Sequence, residues 1–208
     1  MFENCLFCPQ KLFLLNQVAG LPCEQSIVYE DINLFITPDI APIIPGHFLI
    51  ISKPHFSCFG KLDKEARRSL DNAKLYLRKK LPNCIFLEHG SAIDNTAGAS
   101  IDHAHLHAMP LEGLDIKDEI VNSRYVTFEN QSNDDNILVQ YAKNNQPYLY
   151  YEDAEGERKV FGITGHLPSQ FFRNIVASHF SMEFDWKKMY STEESKALFY
   201  DTLLLAQK

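Results

Sequence analysis

Apolar and polar residues alternate over several short stretches of this chain and recur at helical spacing in one long stretch. In the N-terminal part, residues 26–36 predict a β-hairpin around a polar turn, and residues 47–52 predict the next strand. Residues 61–81 place apolar side chains three and four positions apart and end at Pro82, so they predict the main helix. Residues 84–88 predict a further strand.

A polar, turn-rich segment at residues 129–135 predicts a loop before an aromatic-rich C-terminal part. There, residues 147–151 and 159–163 flank a Glu-Gly turn and predict a second hairpin. Residues 169–180 predict a helix, and the Ser-Thr-Glu-Glu capping box at 191–194 predicts the start of the last one. Strands and helices follow each other without a βαβ rhythm, which favours an α+β fold with an antiparallel sheet.

The composition is that of an ordinary soluble globular chain. Its 208 residues, 45% hydrophobic and 23% charged, suffice for one large domain or for a domain with an extension. Apolar runs stay far below the roughly 18 residues that a membrane-spanning helix needs. Residues 1–8 have neither a basic start nor a long apolar segment, so we expect no signal peptide and a cytoplasmic protein.

The net charge of -7 argues against partners that need a basic surface. Duplex nucleic acid and anionic membranes are therefore not expected, whereas a small phosphorylated ligand needs only backbone N–H groups and a few local donors. The odd number of cysteines, five, does not indicate a disulfide framework. Cys5 and Cys8 form a Cys-x-x-Cys pair, which by itself fits a metal site, a redox pair or two buried thiols.

The most informative segment is 100–110, where His103, His105 and His107 are spaced by two. In a strand, alternate side chains share a face, so this spacing predicts a row of imidazoles opposite small and apolar residues. A neutral imidazole can attack phosphorus and form a covalent intermediate, while neighbouring imidazoles donate to phosphate oxygens and move a proton. The alternatives are structural histidines or a row of metal ligands.

The chain resembles the histidine-triad superfamily, whose signature of His-x-His-x-His and two apolar residues is matched by 103–109. Upstream, residues 29–31, 38–42 and 45–55 are similar to the successive motifs of that family, in the same order. The resemblance extends over residues 5–110, half of the chain.

This resemblance implies a HIT-like fold, with an antiparallel sheet of about five strands and a main helix packed on it. We expect this domain over residues 1–115 and an α/β C-terminal extension, packed on it, over residues 116–208. It also implies a homodimer.

The resemblance implies roles for individual residues. His105 would attack the α-phosphorus and become nucleotidylated, and His107 would contact the phosphate and manage the proton of the leaving group. Ser100 would contact the phosphate or the leaving group. Asp39 would bind the ribose hydroxyls, for which a carboxylate is a suitable acceptor, and His47 would lie close to the triad.

Cys5, Cys8, His55 and His103 match the zinc ligands of many family members. Two thiolates and two imidazoles suit a tetrahedral structural zinc site. We therefore expect structural zinc, with His103 in a structural role, and neither a catalytic metal nor an organic cofactor.

The chain also departs from the family pattern. Ala99 stands where many members have a glutamine that contacts the phosphate, and Glu88-His89-Gly90 replaces an Asn-x-Gly segment. We expect Glu88 and His89 to enter the site in a way specific to a subgroup. In the extension, Arg173 is either a phosphate-binding residue or a residue on a helix surface.

These observations predict a hydrolase that cleaves a nucleoside-5'-phosphoryl bond, in a dinucleoside polyphosphate or a nucleoside phosphoramidate, through a nucleotidyl-His105 intermediate. One alternative is a metal-dependent hydrolase that uses the histidine row as ligands. Another is a nucleotide-binding regulator with little turnover.

Overall fold

The computed structural model of the chain describes residues 5–21, 26–94, 96–131 and 136–207. The strands are Tyr29–Glu30 (β1), Leu34–Pro38 (β2), Phe48–Ser52 (β3), Cys84–Gly90 (β4), His105–Pro110 (β5), Val126–Gln131 (β6), Tyr148–Glu152 (β7) and Arg158–Ile163 (β8). The helices are Leu12–Val18 (α1), Lys64–Lys80 (α2), Lys117–Val121 (α3), Asn136–Lys143 (α4), Phe171–His179 (α5), Trp186–Met189 (α6) and Glu193–Gln207 (α7).

The described strands form one antiparallel sheet in the order β1-β2-β3-β5-β4-β7-β8-β6. The predicted α+β fold with an antiparallel sheet is confirmed. The sheet has eight strands where the resemblance implied about five, because strands β6, β7 and β8 of the extension continue the sheet beyond β4.

One face of the sheet is covered by α2, and we call it the helix face. Asp63 caps α2 by accepting a hydrogen bond from the backbone N–H of Ala66 (2.8 Å). The apolar stripe of α2 packs against alternate side chains of the central strands, among them Leu106 and Ala108 of β5 and Phe86 of β4. This packing fixes which side chains of β4 and β5 point away from α2.

The opposite face, which we call the cavity face, carries two separate apolar clusters. One contains Leu49 and Ile51 of β3 with Phe7 of the N-terminal segment. The other joins β4 and β7 to α5, through residues such as Leu87 and Phe172. The gap between the two clusters is where polar side chains gather.

Some local predictions need correction. Helix α7 begins at Glu193, and the hydroxyl of Thr192 accepts from the N–H of Ser195 (3.2 Å), so the cap lies one residue after the predicted one. Residues 129–131 of the predicted loop belong to β6, and residues 132–135 lie outside the described part of the chain. Helices α1, α3, α4 and α6 were not predicted.

Within the described ranges, no helix has both the length and the apolar composition that crossing a bilayer requires.

Candidate active site

Strand β5 presents His105 and His107 on the cavity face, while Ala104, Leu106 and Ala108 pack on the helix face. The predicted alternation is therefore present. His103 precedes the first residue of β5 and turns toward the N-terminal segment instead. The row thus divides into two imidazoles that face a cavity and one that does not.

A cavity of about 370 Å³ lies over these imidazoles. Its walls come from both the N-terminal part (residues 1–115) and the extension (residues 116–208). They include Asp39, His89, Ser100, His105, His107, Gln170 and Arg173. Volumes of this size accommodate small organic ligands. Of the predicted substrate-binding residues, the cavity brings together Asp39, His89 and Arg173 with the predicted catalytic residues His105, His107 and Ser100.

The backbone fixes the tautomer of His105. Its Nδ1 lies 2.6 Å from the carbonyl oxygen of His103, and because a carbonyl can only accept, Nδ1 carries the proton. Burial lowers the pKa of His105 below its ordinary value, although the bond to His103 acts in the other direction. A neutral ring with a proton on Nδ1 has its lone pair on Nε2, as a nucleophile requires.

A chain of hydrogen bonds orients His107. The backbone N–H of Ile43 donates to Nδ1 of His47 (3.3 Å), so the proton of the neutral His47 ring lies on Nε2. That Nε2 donates to Nδ1 of His107 (3.0 Å), which places the proton of His107 on its own Nε2. Burial lowers the pKa of His47 to about 4 and that of His107 well below its ordinary value.

His47 does not line the cavity, but its contact with His107 agrees with the expected position close to the triad. Oδ2 of Asp39 lies 3.7 Å from His47 Nε2 and from His107 Nδ1, which is near both rings but beyond hydrogen-bond distance. Its other oxygen, Oδ1, accepts from the backbone N–H of Ala41 (2.8 Å). Asp39 is thus a buried acceptor at the cavity wall.

Glu88 and His89 are separated by the alternation of β4. His89 faces the cavity, where its ring stacks on Phe172 at 4.8 Å between centroids. Glu88 points to the helix face and accepts from the N–H of Phe59 (2.7 Å) and the hydroxyl of Tyr148 (2.9 Å). The expectation that Glu88 enters the site is therefore corrected, because consecutive strand residues lie on opposite faces.

Cys5, Cys8, His55 and His103 gather beside the cavity, with potential ligand atoms all within 4.8 Å of one another. Nδ1 of His103 lies 3.3 Å from Sγ of Cys5, and Nδ1 of His55 lies 3.5 Å from Sγ of Cys8. Tetrahedral bonds of about 2.3 Å to sulfur and 2.0 Å to nitrogen imply ligand separations of roughly 3.5 Å. Nε2 of His103 faces the carbonyl oxygen of Ser52 (2.6 Å), as a metal-bound imidazole commonly does.

The three histidines of the motif do not converge on one point. His103 belongs to the Cys/His cluster, whereas Nδ1 of His105 is engaged by a backbone carbonyl. A second group of potential ligands, Asp39, His47 and His107, is already joined by the hydrogen bond between the two rings. This geometry gives no support to a metal held by the whole histidine row.

The sequence pattern of the HIT domain matches residues 22–114, which contain the cavity-facing histidines. This chain carries a HIT domain. The predicted resemblance is confirmed. Protein HitA of Neisseria gonorrhoeae is 26% identical over 110 residues, 51% of this chain and 95% of HitA.

Two further proteins are similar to this chain, one in sequence and one in structure. The bifunctional adenosine 5'-phosphosulfate phosphorylase/adenylylsulfatase HINT4 of Arabidopsis thaliana is 24% identical over 115 residues, 52% of this chain and 71% of HINT4. The crystal structure of yeast Ap4A phosphorylase Apa2 in complex with Ap4A superposes with a TM-score of 0.49 at 14% identity, covering 91% of this chain and 77% of that one.

Several cavity residues lie outside the HIT domain, and the sequence analysis missed most of them. Arg173 was a candidate, but Gln170, Trp186, Lys187 and Tyr190 of the extension also line the cavity. The side chain of Arg173 is buried, so its alternative interpretation as a helix-surface residue is wrong. The only sequence signal for the other four residues was Ala99. It stands where many family members have a glutamine, so one expected contact to the phosphate is missing from the HIT-like part of the chain.

Proposed function

We propose that this protein transfers a nucleoside-5'-phosphoryl group from its substrate to His105 and then to water. The observation that carries this proposal is the hydrogen bond from His105 Nδ1–H to the carbonyl of His103. This bond leaves the lone pair of His105 on Nε2, and the ring lines the cavity. The similarity to HINT4, which is named for its action on adenosine 5'-phosphosulfate, supports a nucleotide substrate.

In the first step, His105 Nε2 attacks the α-phosphorus and the bond from phosphorus to the leaving group breaks. His107 Nε2–H donates a hydrogen bond to the departing atom, so that a phosphate leaves as an anion and an amine takes its proton from solvent water. In the second step, water oxygen attacks phosphorus, the bond to His105 Nε2 breaks, His105 returns as a neutral imidazole, and the proton of the attacking water passes to solvent. The hydroxyl of Ser100 stands at the cavity wall as a donor to phosphoryl oxygens.

Cys5, Cys8, His55 and His103 would hold a structural zinc ion in this proposal. Two thiolates and two imidazoles suit zinc, and the ligand separations fit a tetrahedral site. The ion would connect the N-terminal segment to the strand that carries His105. It takes no part in the reaction steps.

Substitution of His105 tests the proposed function. We expect His105→Gln to lower the hydrolysis of diadenosine tetraphosphate and of adenosine 5'-phosphoramidate at least about a thousandfold, because Gln offers no nucleophilic lone pair. Single turnovers with radiolabelled substrate, quenched in alkaline denaturant because the P–N bond is acid-labile, should show a phosphoramidate-linked nucleotide on the wild-type protein and none on this variant. His166→Gln, at an exposed histidine, is the matched control.

A chelator separates this proposal from the metal-dependent alternative. We expect chelation to lower thermal stability through the Cys/His cluster, with turnover preserved for as long as circular dichroism shows a folded protein. Loss of turnover in the folded, chelated protein, or normal turnover by His105→Gln, would contradict the proposal.

A further inference from the structure

Both cationic side chains that line the described part of the cavity, Arg173 and Lys187, belong to the extension. The HIT domain contributes the carboxylate of Asp39 and imidazoles such as His89 and His107, which burial keeps neutral. The HIT domain alone therefore gives the cavity a negative charge, which would repel a phosphate group. The cationic attraction for an anionic substrate therefore comes from the extension.

Arg173 is fixed in place before any ligand binds. Its Nη2 donates to Asp39 Oδ1 (3.2 Å) and to the carbonyl oxygen of Ala41, and its Nη1 donates to Gln170 Oε1 (3.0 Å). Phe184 lies against the guanidinium at 4.3 Å from the ring centroid. Among the described residues, the buried Nε–H of Arg173 has no hydrogen-bond partner. A guanidinium held this rigidly is organised to bind an anion.

Gln170 connects this arginine to Ser100. Its side-chain Nε2 donates to Ser100 Oγ (2.5 Å), and its backbone N–H donates to the carbonyl oxygen of Gly98 (3.3 Å). The backbone of Gln170 is left-handed, with φ of 63°, a conformation that is unfavourable for a side chain of this type. Strain of this kind persists where the surrounding structure enforces it, often at binding sites.

Lys187 lies on α6 and is exposed at the edge of the cavity. Its neighbour Lys188 is also exposed, but it pairs with Asp185 (3.3 Å) and does not line the cavity. The two lysines therefore lie on the same helix and carry the same charge, but only Lys187 lines the cavity in which a substrate would bind. They form a natural pair for comparison.

We propose that Gln170 and Arg173 of the extension bind the transferred phosphoryl group, and that Lys187 binds further phosphates of the leaving group. This inference rests on the function proposed above. It predicts a preference for substrates whose leaving group is a phosphate over substrates whose leaving group is a neutral amine. It also gives the extension a part in the site that residues 22–114 do not provide.

The lysine pair tests the leaving-group preference. We expect Lys187→Gln to lower kcat/KM for diadenosine tetraphosphate about fivefold to tenfold and to change kcat/KM for adenosine 5'-phosphoramidate less than about twofold, since only the first has a charged leaving group. Lys188→Gln should change neither value by more than about twofold. An equal loss for both substrates, or no loss for either, would overturn the role of Lys187.

A glycine substitution tests Gln170 without destabilising the fold. Gln170→Gly removes the amide and relieves the left-handed strain, so we expect unchanged or higher thermal stability and a loss of kcat/KM of about tenfold for both substrates. Ser181→Gly is the control, because Ser181 is also left-handed (φ 53°) but is exposed and does not line the cavity. Full activity of Gln170→Gly would contradict the proposed contact.

Binding measurements separate failure of this inference from failure of the proposed function. In the His105→Gln protein, calorimetry with intact diadenosine tetraphosphate measures binding without the nucleophile. Adding Lys187→Gln or Gln170→Gly should weaken that binding about fivefold to tenfold, and adding Lys188→Gln should weaken it less than about twofold. Unchanged binding in the first two variants overturns this inference even if His105 is essential for turnover.

Discussion

The two faces of the central sheet differ in how they hold one group of buried polar side chains each, a carboxylate on the helix face and imidazoles on the cavity face. On the helix face, Glu152 is an ion that accepts from Lys74 Nζ (2.7 Å) and Arg78 Nη1 (2.7 Å). Burial by itself would raise the pKa of Glu152, but these cations lower it below its ordinary value. On the cavity face, His89 and His107 are equally buried and stay neutral.

The difference follows from the partners and from the space around each group. A buried charge persists only where opposite charges and hydrogen bonds replace water, as they do around Glu152. The helix face leaves a space of about 10 Å³ beside Lys74, whereas the cavity face leaves about 370 Å³ over the imidazoles. Filled space and paired charge stabilise the fold, while open space and neutral lone pairs leave the opposite face free for chemistry.

Breaking the charge network of the helix face should have the largest effect on stability. We expect Glu152→Gln to lower the free energy of unfolding by about 3 to 5 kcal/mol, because it leaves the buried Lys74 without its carboxylate. Urea unfolding followed by circular dichroism measures this loss. Glu155→Gln, at an exposed position of the same hairpin, should change the free energy of unfolding by less than about 0.5 kcal/mol.

The double variant Lys74→Met/Glu152→Gln sharpens this test. If the loss comes from an unpaired buried cation, removing Lys74 as well should restore part of the stability that Glu152→Gln loses. Strictly additive losses from the two substitutions would mean that the pair is not coupled, and the account of the helix face given above would be wrong.

Glu88 gives the helix face a pH dependence. Burial raises the pKa of Glu88 to about 7, above its value in an unfolded chain, so the folded protein takes up a proton more readily. Its contribution to stability is therefore present at low pH and lost as the pH rises through about 7. Lowering the pH from 8 to 5 should therefore raise the free energy of unfolding through Glu88. We expect Glu88→Gln to make this rise smaller by about 2 kcal/mol, measured by urea unfolding at each pH. An unchanged difference between the two pH values would contradict the raised pKa.

Sequence patterns predicted the parts of the site that depend on local periodicity. The two-residue spacing of His105 and His107 and the apolar residues that alternate with them were enough to place both imidazoles on one face. The faces of Glu88 and His89 could not be assigned in the same way. Which of these two residues faces the cavity depends on the register between β4 and β5, in which Leu87 lies opposite His107. This register is set by contacts between distant parts of the chain.

The extension was harder to predict for two physical reasons. Among the described strands, β6 is at the edge of the sheet beside β8, where polar residues such as 129–131 are tolerated although they indicate a loop in the sequence. Lys187 and Trp186 lie in a four-residue helix with no apolar periodicity to reveal it. Their position at the cavity results from tertiary packing.

His89 should give the cavity face the opposite pH dependence to that of Glu88. Burial lowers the pKa of His89 to about 3, so the unfolded chain binds a proton more readily, and stability falls as the pH drops below about 6.5. His89→Phe keeps a ring beside Phe172 but removes the titrating group. The free energy of unfolding should fall between pH 8 and pH 5 because of His89, and we expect His89→Phe to make this fall smaller by about 1 to 2 kcal/mol. The change in pH dependence is opposite in sign to that of Glu88→Gln. A shift of the pH dependence in the same direction by both variants would contradict this account, in which Glu88 and His89 face different environments on opposite faces of the sheet.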